Sequence, residues 1–479
     1  MRTVLEIFRE LSAVPRATFH ERNAADYLEA YGKRIGCTVY RDTKNNVILE
    51  KTPENADPAD CLILQAHMDM VCVGDPGYAY RPGEDPIRPV EEKGWLRAEH
   101  TTLGADDGIG VAVILKLMEE SSVGYPLRAI FTTEEEQGMG GAKALSAKYL
   151  QGKYFVGLDW VSSKSTCVSC AGSVILTAKR RPERICLQEN VGIELSVSGF
   201  SGGHSGTEIQ YGGNAIRACA ELLTEMSRRG IAFHVVSMQG GGALNSIPSF
   251  CTCVVAVPEE TYEVFCREWE NPILCTCLRI PEREAAVLTC RRVSVPEQVL
   301  CREETDTLLR FLCAVPNDSL CSDAAAVQQS SNIGRITWDD TWEIGIMARA
   351  NSEELLDEVY TDILCVGQSC GVTMSLLSRD PCFQAGEKSS LLSRVCDIYQ
   401  RQNGVPLQQE TIHAGMECGY FQQKNSGLEI VILGAELRDL HTTKERMELG
   451  SEETLHRLLW ELLAEIDVCA RSQNGQTDF

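Results

Sequence analysis

Two uninterrupted apolar runs, with a helical segment between them, constrain this chain more than any other feature. CLILQAHMDMV (61–71) and LRAIFTTEEE (127–136) open on apolar runs that lack the polar alternation of a sheet with one wet face. IGVAVILKLMEE (109–120) lies between them and reads as a helix. Continuous apolar strands that alternate with helices belong to a mainly parallel sheet with helices covering it, since such strands bury both faces. The same texture fills roughly the first 187 residues, where CTVYRDTKNNVILEK reads as a hairpin turning at Lys44-Asn45-Asn46. It returns from about 382, with SSLLSRVCDIYQRQ as a helix, LEIVILG as a buried strand and SEETLHRLLWELLAEIDVCAR as a closing helix. Between these limits GIELSVSGFSGGHSG, SFCTCVVAV and WEIGIMARA alternate like half-exposed antiparallel strands, and NAIRACAELLTEMSRRG is helical. The expectation is an α/β fold. A helix-covered mixed, mainly parallel sheet forms a discontinuous domain (1–187 and 382–479), interrupted by an inserted α+β domain (188–381).

At 479 residues the chain is too long for one small core. No apolar run approaches the roughly 20 residues that span a bilayer. MRTVLEIFRELSAV carries an acid inside its short apolar stretch and no small-residue cleavage site, so it reads as an amphipathic helix and not as a signal peptide. The 22 cysteines are scattered through a large chain, which fits reduced thiols and the cytoplasm better than a disulfide framework. Cys167-x-x-Cys170, Cys251-x-Cys253 and Cys275-x-Cys277 suggest zinc at first sight. The last two, however, are i, i+2 pairs in strand-like segments, and no second C-x-x-C stands at finger spacing. A net charge of −23 without a basic stripe argues against nucleic acid and anionic membranes as partners.

The polar residues at the strand ends carry the chemistry. His67 and Asp69 close the first apolar run and, two apart on a strand, point to one side. TTLGADDGIGVA sets Asp106 and Asp107 in a Gly-bounded turn before a helix. Glu134, Glu135 and Glu136 end the second run, Asp159 ends YFVGLDWV, and His441 follows the last strand in LGAELRDLHTTKE. Sites in parallel α/β folds form at the carboxyl ends of the strands, so these five positions are topologically equivalent. Two imidazoles with several carboxylates, and no cysteine among them, suit zinc or manganese. A carboxylate shared between two ions builds a two-metal clamp, served by a further carboxylate that takes a proton.

In that order (HxD, GADDG, an EE pair before GM, LD, a late His) the chain resembles the co-catalytic zinc peptidases that include aminoacylase, carboxypeptidase G and carnosinase. It resembles in particular their aminoacyl-histidine dipeptidase branch. The likeness runs nearly end to end, through VPRATFHE, DTKNNVIL, TTLGADDGIG, EEEQGMGGA, CAG, SGGHSG, LNSIP, SSNIG and HAGMECG. The resemblance implies one ion on His67, Asp106 and Asp159 and a second on Asp106, Glu136 and His441, with Asp106 as the bridge. Asp69 would orient His67, and Glu135 would be the general base. The ions would be zinc, with manganese or cobalt as alternatives. The inserted domain would be a lid and a dimerisation domain of a homodimer. His204 and Asn245 would line the substrate side, Arg349 would anchor a carboxylate, and His413 and Glu417 would shape the pocket.

The chain departs from the branch at Trp160-Val161-Ser162-Ser163, where acids usually follow, and at Thr442-Thr443-Lys444, where Ser-Pro-Asp is commoner. Asp107 stands where the branch usually has Asn. None of these removes a ligand; they bear on substrate preference. The expected activity is hydrolysis of short peptides, dipeptides of Xaa-His type among them, by metal-activated water with a Glu base. The alternatives are an N-acyl amino acid deacylase with the same metals, or a non-catalytic metal-dependent binding protein. The intact Glu135 argues against the last.

Overall fold

The structure, a computed structural model, describes residues 2–53, 56, 61–121, 124–187, 190–278, 280–281, 284–294, 298–321, 326–386 and 388–473. The chain divides into two compact units: Met1–Ser169, Phe383–Thr411 and Met416–Phe479 form the first, and Cys170–Cys382 with Ile412–Gly415 the second.

The first unit is built on a nine-stranded mixed sheet. Its centre is parallel: Leu127–Thr132, Leu62–His67, Tyr154–Gly157 and Glu429–Ile432 lie side by side in that order. Leu62–His67 is buried at every residue, as its unbroken apolar run requires. On one flank Thr38–Arg41 and Val47–Lys51 form the expected hairpin, with Asn45 in the left-handed region at φ 70°; Val47–Lys51 then pairs antiparallel with Leu127–Thr132. On the other flank Ser165–Cys170 pairs antiparallel with Glu429–Ile432.

Helices cover this sheet. Val4–Ser12 starts at a Thr3–Glu6 capping box and buries Val4, Ile7, Phe8 and Leu11, a helical stripe. It joins one core with Ala105–Glu120, which is apolar nearly all round and correspondingly buried, and with Ser390–Asn403 and Ser451–Gln473. Among the described residues no helix is long and apolar enough to cross a membrane.

The second unit is an antiparallel sheet in the order Val287–Val293, Asn190–Ser198, Cys251–Pro258, His234–Gly241, Val327–Trp338, Trp342–Ala350, Gly172–Arg180 and Thr373–Asp380. Buried and half-exposed residues alternate along Asn190–Ser198, as period two predicts for a strand with one covered face. The helices Ala215–Arg228, capped by the Asn214 side chain, and Glu353–Ser369 share the core of this unit.

Two sequence expectations are corrected here. The boundary read at 187/188 falls beside residues 188 and 189, which lie outside the described residues. The second unit in fact starts at Cys170. Gly172–Arg180 pairs on both sides within the second sheet, so it is a buried central strand and has the same apolar texture as strands of the first unit. Cys275 and Cys277 lie on a 3-10 turn, Leu274–Cys277, and not on a strand. Among the described side chains the cysteines from Cys37 to Cys418 form no disulfide.

Asn46 ties the hairpin turn to the loop that carries Glu134–Glu136. Fully buried, it donates to Gly141 O at 3.0 Å and Asp42 Oδ2 at 2.7 Å, and accepts from Thr133 N at 3.2 Å. Asn46→Ala strands these buried backbone groups, so stability should fall by roughly 1–3 kcal/mol. A denaturant midpoint unchanged from the parent would contradict this linkage.

Candidate active site

The parallel strands of the first unit end together, and the loops that follow them carry the polar residues. His67 is the last residue of its strand and is 1% exposed. Its Nδ1 lies 3.2 Å from the carbonyl of Asp69, which can only accept, so Nδ1 carries a proton and Nε2 is turned to Asp106 Oδ1 at 3.2 Å. Burial works against a charged imidazole, but hydrogen bonds to Asp106 and Asp69 outweigh it and hold His67 well above its ordinary pKa.

The Asp69 carboxylate does more than face His67, whose Nδ1 is 3.6 Å away. It accepts from the amides of Glu135 at 3.1 Å and Glu136 at 3.4 Å, and from the Thr18 hydroxyl at 3.0 Å. The HxD pair therefore also fixes the turn that bears the two glutamates. Glu134 begins this turn in the left-handed region, φ 55°.

Asp106 sits in the first turn after Gly104, which has φ 68°, and the Asp106–Asp107 peptide is cis. Its Oδ1 faces His67 and its Oδ2 lies 3.2 Å from Nε2 of His441. His441 also lies 3.0 Å from Glu136 Oε2. It occupies the loop between Leu437–Arg438 and Arg446–Glu448, with φ 61° and a half-exposed side chain. Hydrogen bonds to Asp106 and Glu136, opposed by burial, raise it to about 10. Asp159 lies two residues past Tyr154–Gly157; burial and the charge of Asp106 push it up to about 7.

Donor atoms of His67, Asp106 and Glu136 all lie within 4.8 Å of one another, and Glu136 Oε1 is buried without a hydrogen-bond partner. Imidazole nitrogens and carboxylate oxygens in this density suit a divalent ion of the zinc or manganese type. Asp159 falls outside that tight group but feels the charges of Asp106, His67, Glu136 and His441. Glu135, beside Glu136, is raised well above the usual carboxylate range by burial, with His67 opposing.

Glu417 belongs to the first unit and is buried, accepting from Thr132 Oγ1 at 2.6 Å and Gln65 Nε2 at 2.7 Å. Burial pushes it up to about 8. His413, four residues earlier, belongs to the second unit, so the HAGMECG motif is divided between the units.

Within the second unit, SGGHSG and LNSIP adjoin: Ser205 N donates to Asn245 O at 2.8 Å and Ile247 N to Gly203 O at 2.9 Å. Asn332 of SSNIG donates to Ser246 O at 2.9 Å. Nδ1 of His204 accepts from the amides of Gly206 at 3.2 Å and Thr207 at 3.3 Å, which leaves its proton on Nε2. Burial and the charge of Arg349 lower its pKa. Asn245 itself is exposed. Arg349 is buried with Nε unpartnered, and burial brings its pKa down to about 10. His413 lies 2.8 Å from Ser330 Oγ and 2.9 Å from Asn351 Oδ1; burial, then Arg349 and His204, lower it to about 4.

Two buried charges beside the site went unremarked in the sequence. Arg16 donates to the carbonyls of Met68 at 3.0 Å, Asp69 at 3.1 Å and Gly104. Glu445 accepts from the backbone around Asp106. Their only sequence signal is membership of VPRATFHE and proximity to His441.

Comparison with known proteins agrees with this geometry. The family described as Peptidase family M20/M25/M40 matches residues 63–465. The chain is similar to the cytosol non-specific dipeptidase of Escherichia coli (strain K12), 29% identical over 475 residues, covering 96% of this chain and 97% of that one. Among solved structures it is similar to the aminoacylhistidine dipeptidase from Vibrio alginolyticus, 25% identical with a TM-score of 0.84 over 96% of each chain. It shares its fold with the aminopeptidase PepT from Bacillus cereus, 15% identical with a TM-score of 0.55, covering 97% and 98% of the two chains.

The raised pKa of His441 has a pH signature. An imidazole at about 10 in the folded state and ~6.5 in the unfolded state stabilises the ion-free protein fully below ~6.5, and the contribution is lost as pH rises to about 10. Thermal stability of chelator-treated protein should therefore decline across that window, and His441→Gln should make the decline shallower. Identical slopes for the two proteins would contradict the contacts to Asp106 and Glu136.

Proposed function

We propose a function from one premise: the chain belongs to peptidase family M20/M25/M40. It is a metallopeptidase, and our reading is a dipeptidase that cleaves short peptides with a free C-terminal carboxylate, Xaa-His dipeptides among them. The observation that carries this reading is the Asp106 carboxylate, shared between His67 and His441 with Glu136 in contact and Glu135 adjacent.

In this reading one ion would be held by His67, Asp106 and Asp159, and the other by Asp106, Glu136 and His441. Such ions, zinc in the first place and manganese or cobalt otherwise, would supply the Lewis acidity that activates water and offsets negative charge on the peptide carbonyl. Asp69 holds the Glu135–Glu136 turn and, through its backbone carbonyl, the His67 tautomer. Glu135 takes a proton from the attacking water at its carboxylate and delivers it to the leaving amine nitrogen. Its burial favours a carboxylate that can hold that proton near neutral pH.

Residues of the second unit bind and orient the substrate. Arg349, a buried guanidinium with an unpartnered Nε, anchors the C-terminal carboxylate, and Asn245 and His413 share the binding role. His204 donates its Nε2–H to the developing oxyanion, which its Nδ1 contacts favour. The second unit acts as a lid and joins two copies into a homodimer. The name of the Escherichia coli relative places that protein in the cytosol, and the same compartment is proposed for this one.

A dipeptide panel, assayed with added zinc or manganese, tests the substrate class against N-acyl amino acids. Glu135→Gln removes a proton acceptor but no ligand, so it should keep its ions while activity falls roughly 10²–10⁴-fold. Ion loss in that variant, or retained activity, would mean that the roles of Glu135 and Glu136 are exchanged or absent.

A further inference from the structure

Glu445 stands four residues beyond His441 in the same loop, and it is 2% exposed. Its Oε2 accepts from Leu103 N at 2.8 Å and Gly104 N at 3.0 Å. Its Oε1 accepts from Ala105 N at 2.8 Å, with Asp106 N farther off at 3.4 Å. Only a carboxylate offers enough lone pairs on two adjacent oxygens for such a row of donors. The amides it takes belong to the segment up to Asp106, where Asp106 (φ −83°, ψ 110°) and Asp107 (φ −107°, ψ 34°) are not helical, so no helical turn supplies these N–H groups with acceptors. Arg16 closes the other side of the same turn, joining Gly104 O to the carbonyls of Met68 and Asp69.

Apart from the contact of His441 itself with Asp106, the hydrogen bonds within the loop stay local among the described residues. Thr442 Oγ1 donates to Asp439 O at 2.7 Å, Lys444 N donates to Thr442 Oγ1 at 3.1 Å, and Glu445 N donates to Thr442 O at 3.1 Å. At the exposed tip Thr443 meets Asp75. His441 is half exposed and left-handed; its loop is closed at the base by the pairing of Leu437–Arg438 with Arg446–Glu448 and by the Arg446–Asp439 ion pair at 3.1 Å, none of which involves Asp106. His67, by contrast, is held by its own strand and the Asp69 carbonyl, and Asp159 follows a central strand; neither depends on the loop.

We propose that Glu445 is the positioning residue of the ion site formed by His441, Glu136 and Asp106. By clamping the loop of His441 onto the backbone of the Asp106 turn, it delivers the two groups together. The proposal rests on the reading of these three residues as ligands. Arg16 still holds the Asp106 turn through Gly104 O, so loss of the clamp falls mainly on His441: it weakens the ion that needs His441 more than the ion on His67, Asp106 and Asp159.

Zinc titration of the chelator-treated full chain, followed by calorimetry and elemental analysis, tests this with Glu445→Gln, Glu445→Asp, His441→Ala and the double variant Glu445→Gln/His441→Ala. His441→Ala should lose the weaker of two ions. Glu445→Gln should weaken that same ion roughly 10–100-fold and leave the tighter one near the parental affinity. Glu445→Asp, which keeps the charge and the acceptors, should recover part of the loss and carries the test if the glutamine variant does not fold. The double variant should bind as His441→Ala does, because the clamp acts through the histidine. Parental affinity for both ions in Glu445→Gln, with one ion lost in His441→Ala, overturns the positioning role alone. Further loss in the double variant does the same. Two ions retained by His441→Ala overturn the ligand reading, and this proposal with it.

Discussion

One carboxylate between two imidazoles organises this site. Asp106 faces His67 through one oxygen and His441 through the other, although the two histidines lie 39 and 335 residues from it along the chain. Two dications ~4 Å apart repel by roughly 16 kcal/mol at an effective dielectric of about 20, so a pair of ions needs a negative group between them. The same carboxylates favour protons on the imidazoles, which accounts for the raised pKa values of His67 and His441. Charge density of this kind in a buried pocket is costly unless cations answer it.

The fold supplies that density at small cost to itself because the central strands are parallel. Their carboxyl ends reach one edge of the sheet, and the turns beyond them need not satisfy a hairpin. Buried polar groups then lock the turns. Asp69 receives the amides of Glu135 and Glu136, Arg16 gathers the carbonyls of Met68, Asp69 and Gly104, and Glu445 receives the amides before Asp106. Each lock is a charged side chain acting on the backbone, so each fixes a turn rather than a single side chain.

Much of this was legible in the sequence, and the gaps have physical causes. Continuous apolar runs identify strands buried on both faces, and a polar residue just past such a run has few structural reasons to be there; that is how His67, Asp159 and the glutamates stand out. The same rule misplaced the start of the second unit, because Gly172–Arg180 is also buried centrally, within an antiparallel sheet. Pattern also missed Arg16 and Glu445. A charge in a turn is usually solvated, and its burial depends on contacts hundreds of residues away, as between Glu445 and Leu103. Asp69 faces His67 and its carboxylate also holds the glutamate turn, a second role set by a loop that no periodicity describes.

The central claim is that Asp106 is shared by two ions, and counting ions tests it most directly. Parent protein and Asp106→Asn, saturated with zinc and freed of excess metal, can be compared by elemental analysis with ion content expressed per chain. The account predicts two ions in the parent and at most one in Asp106→Asn, since the neutral amide cannot offset the repulsion between two dications. Two ions retained by Asp106→Asn would contradict it.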